Sequence, residues 1–188
     1  MNELLPKLGP LAALAGIWEG DHGTDIAPSD DRGTEENLYR ERISFVPFGP
    51  VNNHEQELYG LKYSTMAWRT TEEAAFHEDT GFWLWDAKAK QVMRCFVIPR
   101  GISVIAGGTV APDAKGFKLV AESGSETYGI CSNLFLDREF KTVRYEITVT
   151  VHSETEISYS QDSQLKMPGR DQLFHHTDTN RLKRVALV

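Results

Sequence analysis

The stretch that decides the fold is Phe76-His77-Glu78-Asp79-Thr80-Gly81-Phe82-Trp83-Leu84-Trp85, then Asp86-Ala87-Lys88-Ala89-Lys90, then Gln91-Val92-Met93-Arg94-Cys95-Phe96-Val97-Ile98. Its first arm is dense in aromatic residues and its second in Val, Ile, Met and Phe, with a short polar connection that begins with Asp. That pattern predicts a β-hairpin, since aromatic and β-branched side chains suit a pleated surface better than a helix. Pro99-Arg100-Gly101 turns the chain again into Ile102 to Gly108. No helical crossover interrupts these arms, so the middle of the chain reads as an antiparallel meander. A meander this rich in large side chains must hide one face, and closing into a barrel does so without leaving raw edges.

Working outward, Val143, Tyr145, Ile147, Val149 and Val151 alternate with polar residues from Thr142 to His152, which predicts a strand with its apolar face inside. In His54 to Arg69 the residues Tyr59, Leu61, Tyr63, Thr65 and Ala67 share one face. Leu38 to Val46 reads as a strand stopped at Pro47, residues 24–37 as a long polar loop, and His175 to Arg184 as the last strand. At the start, Leu8, Leu11 and Leu14 recur every third residue around Pro10, the mark of a short helix that plugs one end of the sheet. Trp18 stands among Gly16, Gly20 and Gly23, which predicts a buried anchor ring. Residues 123–140 carry no clear pattern. The expected fold is therefore all-β: one antiparallel up-and-down barrel of about ten strands over residues 1–188, with a short N-terminal helix.

Composition narrows the function. The 188 residues carry a formal net charge of −7, which argues against a nucleic-acid partner. Two cysteines, Cys95 and Cys131, allow at most one disulfide and no Cys-based metal site, and free thiols in a reducing cytoplasm are the simpler expectation. No apolar run approaches the roughly 20 residues of a membrane span, and the N-terminal segment lacks the basic leader of a signal peptide. There is no nucleophile elbow, phosphate-binding loop or His-Glu-x-x-His pair.

Histidine is what remains. His54 and His152 read as surface residues, and His22 faces either the cavity mouth or solvent. His77 shares a face with Gly81, Trp83 and Trp85, and either lines a pocket or sits at the core edge on a neighbouring carbonyl. His175 and His176 are adjacent on a strand, so only one can look inward, which weakens a zinc site built on His175, His176 and Asp178. One inward imidazole in an apolar barrel suits an iron macrocycle, which needs one axial nitrogen and an apolar slot.

Three segments carry a resemblance: Gly16-x-Trp18-x-Gly20, His77-x-Asp79-x-Gly81-Phe82-Trp83, and His176 with the alternating residues to Arg184. Together they resemble the nitrobindin family of fatty-acid-binding-protein-like, lipocalin-like barrels, also found as the C-terminal haem-binding domain of a THAP-type zinc-finger protein. His22 stands where that family has a third glycine, and the last strand reads His-Thr-Asp-Thr-Asn where the family has His-Leu-x-Ala. The resemblance implies haem b as cofactor, with His176 as its proximal metal ligand, His77 on the distal side and Met167 in a loop near the ring. It further implies nitric oxide binding and isomerisation of peroxynitrite to nitrate at ferric iron. The alternatives are a non-haem carrier of a small hydrophobic ligand and a barrel filled by its own side chains. A homodimer is left open.

Overall fold

In a computed structural model that describes residues 3–188, eleven strands close into one barrel. The strands are β1 (Gly16–Ala27), β2 (Glu35–Asn53), β3 (Gln56–Arg69), β4 (His77–Asp86), β5 (Gln91–Ile98), β6 (Ile102–Thr109), β7 (Gly116–Ser123), β8 (Gly129–Ser132), β9 (Lys141–Ser153), β10 (Glu156–Lys166) and β11 (Phe174–Ala186). Around the barrel they run β1-β11-β10-β9-β7-β8-β6-β5-β4-β3-β2, and β2 pairs with β1 to close the ring. The hairpin of β4 and β5 forms as expected, with Asp86 opposite Gln91. Asp86 Oδ1 accepts a hydrogen bond from the Ala89 amide at 2.9 Å, which is why the connection starts with Asp.

The expected inner face of β9 holds from Tyr145 onward, while a bulge between Thr142 and Arg144 turns Thr142 inward in place of Val143. Tyr145, Ile147 and Val149 are buried, while Arg144 pairs outside with Glu122 and Glu146, and Lys118 with Glu146. Tyr63, Leu61 and Trp83 join them in a core that continues through Val92, Phe96, Leu119 and Leu182. At one end Leu5–Lys7 and Gly9–Leu14 form two 3₁₀ turns. Their three-residue repeat puts Leu8, Leu11 and Leu14 on one face, each at most 1% exposed, as the plug. Gly9 has φ +53, and a Cβ there would lie 2.5 Å from the Trp85 ring, so only glycine lets the plug seat on that tryptophan.

Three expectations change. β1 and β2 extend into the supposed 24–37 loop, leaving only residues 28–34 as a connection. β2 also runs through Pro47 to Asn53, its ladder with β3 shifting register between Phe48 and Val51. The bulge takes up Pro50, and Pro47 lies beyond Phe45, where β2 no longer pairs with β1 and its missing N–H faces a free edge. Residues 123–140 contain β8, which pairs parallel with β7 over two residue pairs, and the helix α1 (Leu134–Glu139). The Asn133 side chain caps the N-terminus of α1 by accepting from the Leu136 amide at 2.9 Å, a start signal that outweighs the local glycine and serine content. Hence the barrel has eleven strands and one short parallel pairing.

Cys95 and Cys131 are both free thiols. No helix among the described residues is long and apolar enough to cross a membrane.

Trp18 is fully buried and its Nε1 donates to the Leu14 carbonyl at 2.7 Å, tying β1 to the plug. Replacing Trp18 with Ala should therefore destabilise the protein by about 3–5 kcal/mol in urea unfolding. A cost under about 1 kcal/mol would mean that the ring is peripheral.

Candidate functional site

The plugged end of the lumen is apolar and the opposite end is polar. A single local irregularity does much to set that difference. Along β1 the even positions Gly16, Trp18 and Gly20 face inward, and strict alternation would next turn in His22, Thr24 and Ile26. The ladder with β2 instead matches Gly20 to Glu41 and Gly23 to Tyr39, three residues against two. This bulge throws Asp21 and His22 outward and switches the inner face to Gly23 and Asp25. A Cβ at Gly23 would come 2.5 Å from the Tyr39 ring, so Gly23 takes over the close approach of a third glycine one position late. His22 lies in solvent beside Asp21.

Asp25 is thereby brought to the last strand. On β11, His175 faces out and bonds through Nδ1 to Asp162 at 2.8 Å. His176 faces in, with Nε2 2.8 Å from Asp25 Oδ1 and 3.9 Å from Asp178 Oδ2. Asn37 donates to Asp25 Oδ2 at 3.0 Å, and Gln161 donates to Asp178 Oδ2 at 2.8 Å. The network continues inward: Gln161 Oε1 accepts from the Tyr145 hydroxyl at 3.1 Å and from Arg94 at 3.3 Å. Arg94 also donates to Tyr63 and Tyr145, and to Asp79 Oδ2 at 3.0 Å. His77 reaches the same Asp79 oxygen at 3.5 Å. On the adjoining wall Glu41 Oε1 accepts from Asn180 at 2.7 Å and from Tyr159 at 2.8 Å, and Tyr159 bonds to Tyr39.

These contacts set the charges. Burial pushes the Asp178 carboxyl up, and the neighbouring Asp25 charge adds to the push. Burial acts on Asp25 in the same sense, yet the His176 hydrogen bond and charge, with Asn37, hold it below the ordinary carboxylate range. Burial works against protonating His176, but Asp25 and Asp178 outweigh it, and the imidazole titrates above its usual value. His77 is raised in the same way, burial being overcome by Asp79. Glu41, deeply buried, is pushed up to about 7.

Among the expected site residues, His176 is the inward member of its pair, while His77 and Asp79 form a second cluster in the same lumen, linked to His176 through Arg94, Gln161 and Asp178. Met167 lies against the start of β11. It is buried in a small apolar group with Leu165 and Phe174, against which Phe140 packs. Asp25, Glu41 and Arg94 were not legible as site residues. The spacing Gly20-x-x-Gly23 is the one sequence signal that could have revealed Asp25.

Compared with known protein families, residues 7–184 match the THAP4-like, heme-binding beta-barrel domain. No curated protein is similar enough to match. Among solved structures, the crystal structure of Rv2717c from M. tuberculosis superposes with a TM-score of 0.63 over 98% of both chains, at 20% identity, and shares the fold.

Glu41 yields a pH prediction. Its folded pKa lies above the ordinary 4.5, so the folded chain keeps a proton that the unfolded chain releases. Stability from this group is complete below about pH 4.5 and is lost as pH rises through about 7. Glu41→Gln keeps the acceptor oxygen and should flatten that fall, gaining about 1–3 kcal/mol over wild type at pH 8 relative to pH 5 in urea unfolding. Parallel pH profiles for the two proteins would show that Glu41 is already ionised in the fold.

Proposed function

Because the chain belongs to the family of THAP4-like heme-binding β-barrel domains, the nitrobindin family, we propose that it binds haem b through His176. The observation that carries this reading is the orientation of the histidine pair: His176 alone turns into the lumen, held on a buried carboxylate. Metal-ligating imidazoles typically have such a partner on the second ring nitrogen. His176 Nδ1 has no hydrogen-bond partner among the described residues, so the donor set meets the demand of an iron macrocycle for one axial nitrogen. The apolar group of Leu165, Met167 and Phe174 supplies ring-packing surface near the start of β11, and His77 with Asp79 supplies a polar second side. In this reading ferric haem furnishes the Lewis-acid centre for nitric oxide binding and for isomerising peroxynitrite to nitrate. The protein's own part is to position the imidazole on Asp25 and to hold His77 close to its protonated form. The free thiols support a reducing compartment such as the cytoplasm, and the net charge of −7 supports a small-molecule partner over nucleic acid.

A second reading, a haem-free carrier, is favoured by the polar lining around His176, but a lumen edged by Asp25, Asp79 and Asp178 suits a polar ligand better than a hydrophobic one.

The test is a haem titration of wild type beside His176→Ala and His175→Ala. A saturable Soret shift that survives His175→Ala and disappears in His176→Ala is expected. No shift in wild type, or loss only in His175→Ala, would overturn the assignment.

A further inference from the structure

Asp25 and Asp178 stand directly opposite each other in the β1–β11 ladder, and both carboxylates lie inside the barrel. Like charges placed opposite in a sheet repel, and the loss of solvent strengthens the repulsion. Such a pair needs a proton, an imidazolium or a metal cation to offset it. His176 adds a third donor on the same side, its Nε2 2.8 Å from one carboxylate and 3.9 Å from the other. One ligand atom from each of the three residues falls within 4.8 Å of the other two. An ion with bonds of roughly 2.0–2.2 Å to nitrogen and oxygen spans that triangle after a small closing motion. Each carboxylate already has a neutral amide holding it in place, Asn37 on Asp25 and Gln161 on Asp178, as the outer partners of metal ligands do.

A second observation is independent of the triad. Asp79, whose side chain is 6% exposed, has one oxygen on Arg94 and His77, while its Oδ1 is buried without any hydrogen-bond partner. His77 and Asp178 lie close enough in this lumen to influence each other's charge. A buried carboxylate oxygen without a protein donor is a place where a bound water or a cation fits.

We propose that the haem-free barrel binds one divalent first-row transition-metal ion through Asp25, His176 and Asp178. One imidazole and two carboxylates, with no thiolate, select a borderline ion such as Zn²⁺ over Ca²⁺, which prefers six to eight oxygens. The proposal goes beyond the haem reading and does not rest on it. A neutral imidazole has a single lone pair, so ion and haem iron compete for His176.

The test uses chelator-treated, haem-free full-length protein titrated with Zn²⁺ in a calorimeter and with Co²⁺ by visible absorption. One-to-one binding is expected, weakened at least roughly tenfold by His176→Ala and by Asp178→Asn. Asp25→Asn gives a second conservative probe, with urea unfolding to establish that each variant is folded. His175→Ala, on the outer face, should bind as wild type does. The proposal is overturned if wild type shows no saturable binding, or if the folded His176→Ala and Asp178→Asn variants bind as tightly as wild type. Haem is titrated separately by its Soret band: Zn²⁺ binding without a Soret shift sinks the haem reading alone, and a Soret shift without Zn²⁺ binding sinks this one alone.

Discussion

Arg94 is the constraint on which the interior depends. It is the one arginine or lysine buried among the described residues, and an unpaired guanidinium there would cost several kcal/mol. The barrel meets that requirement from four other strands: Tyr63 on β3, Asp79 on β4, Tyr145 on β9 and Gln161 on β10. Its plane also lies over the Phe96 ring, 4.3 Å from the centroid. A one-residue slip of any of these strands would turn its partner outward. One side chain thus fixes the register of both walls of the lumen. It also marks the boundary between the two halves, with Trp83, Leu61 and Leu119 packed towards the plug and Asp79 and His77 towards the mouth.

What could be read from the sequence follows from where the alternation stays regular. The β4–β5 hairpin keeps period two without a bulge, and β9 does so from Tyr145 to Val151, so their inner faces were legible at once. In β5 the inward set is Val92, Arg94 and Phe96, and a charged residue between two apolar ones was open to reading as a break in the pattern when it was the polar centre of the barrel. β1 defeats the method differently. Its bulge between Gly20 and Gly23 reverses the parity, so the residues that alternation assigns to the core point to water and Asp25 comes inside. The site was half visible: alternation along β11 allowed only one of His175 and His176 to look inward and the family resemblance pointed to His176, while its carboxylate partner lay beyond an irregularity that period counting cannot cross.

The resulting lumen is lined by carboxylates. Against the carboxyl groups of Asp25, Glu41, Asp79 and Asp178 stands Arg94, the one buried arginine or lysine among the described residues, paired directly with Asp79. The remaining balance comes from protons: Glu41 is held towards its neutral form, and His77 and His176 towards their charged forms. Any occupant must fit that balance. A ring with anionic side groups has to leave them outside, whereas a cation replaces the protons directly.

Access follows from the ends of the strands. The plug closes the lumen where β4 ends and β5 begins, with Leu8, Leu11 and Leu14 packed beside Trp85 and Trp18. His77 begins β4, His176 lies near the beginning of β11 and Asp25 near the end of β1, all at the opposite end. Both histidines are about a third exposed, at 34%, while Asp25 and Asp79 beside them are 4% and 6% exposed. The imidazoles therefore stand between solvent and the buried carboxylates. Being the more exposed partners, His77 and His176 are the groups through which a change in charge at this end reaches Asp79 and Asp25.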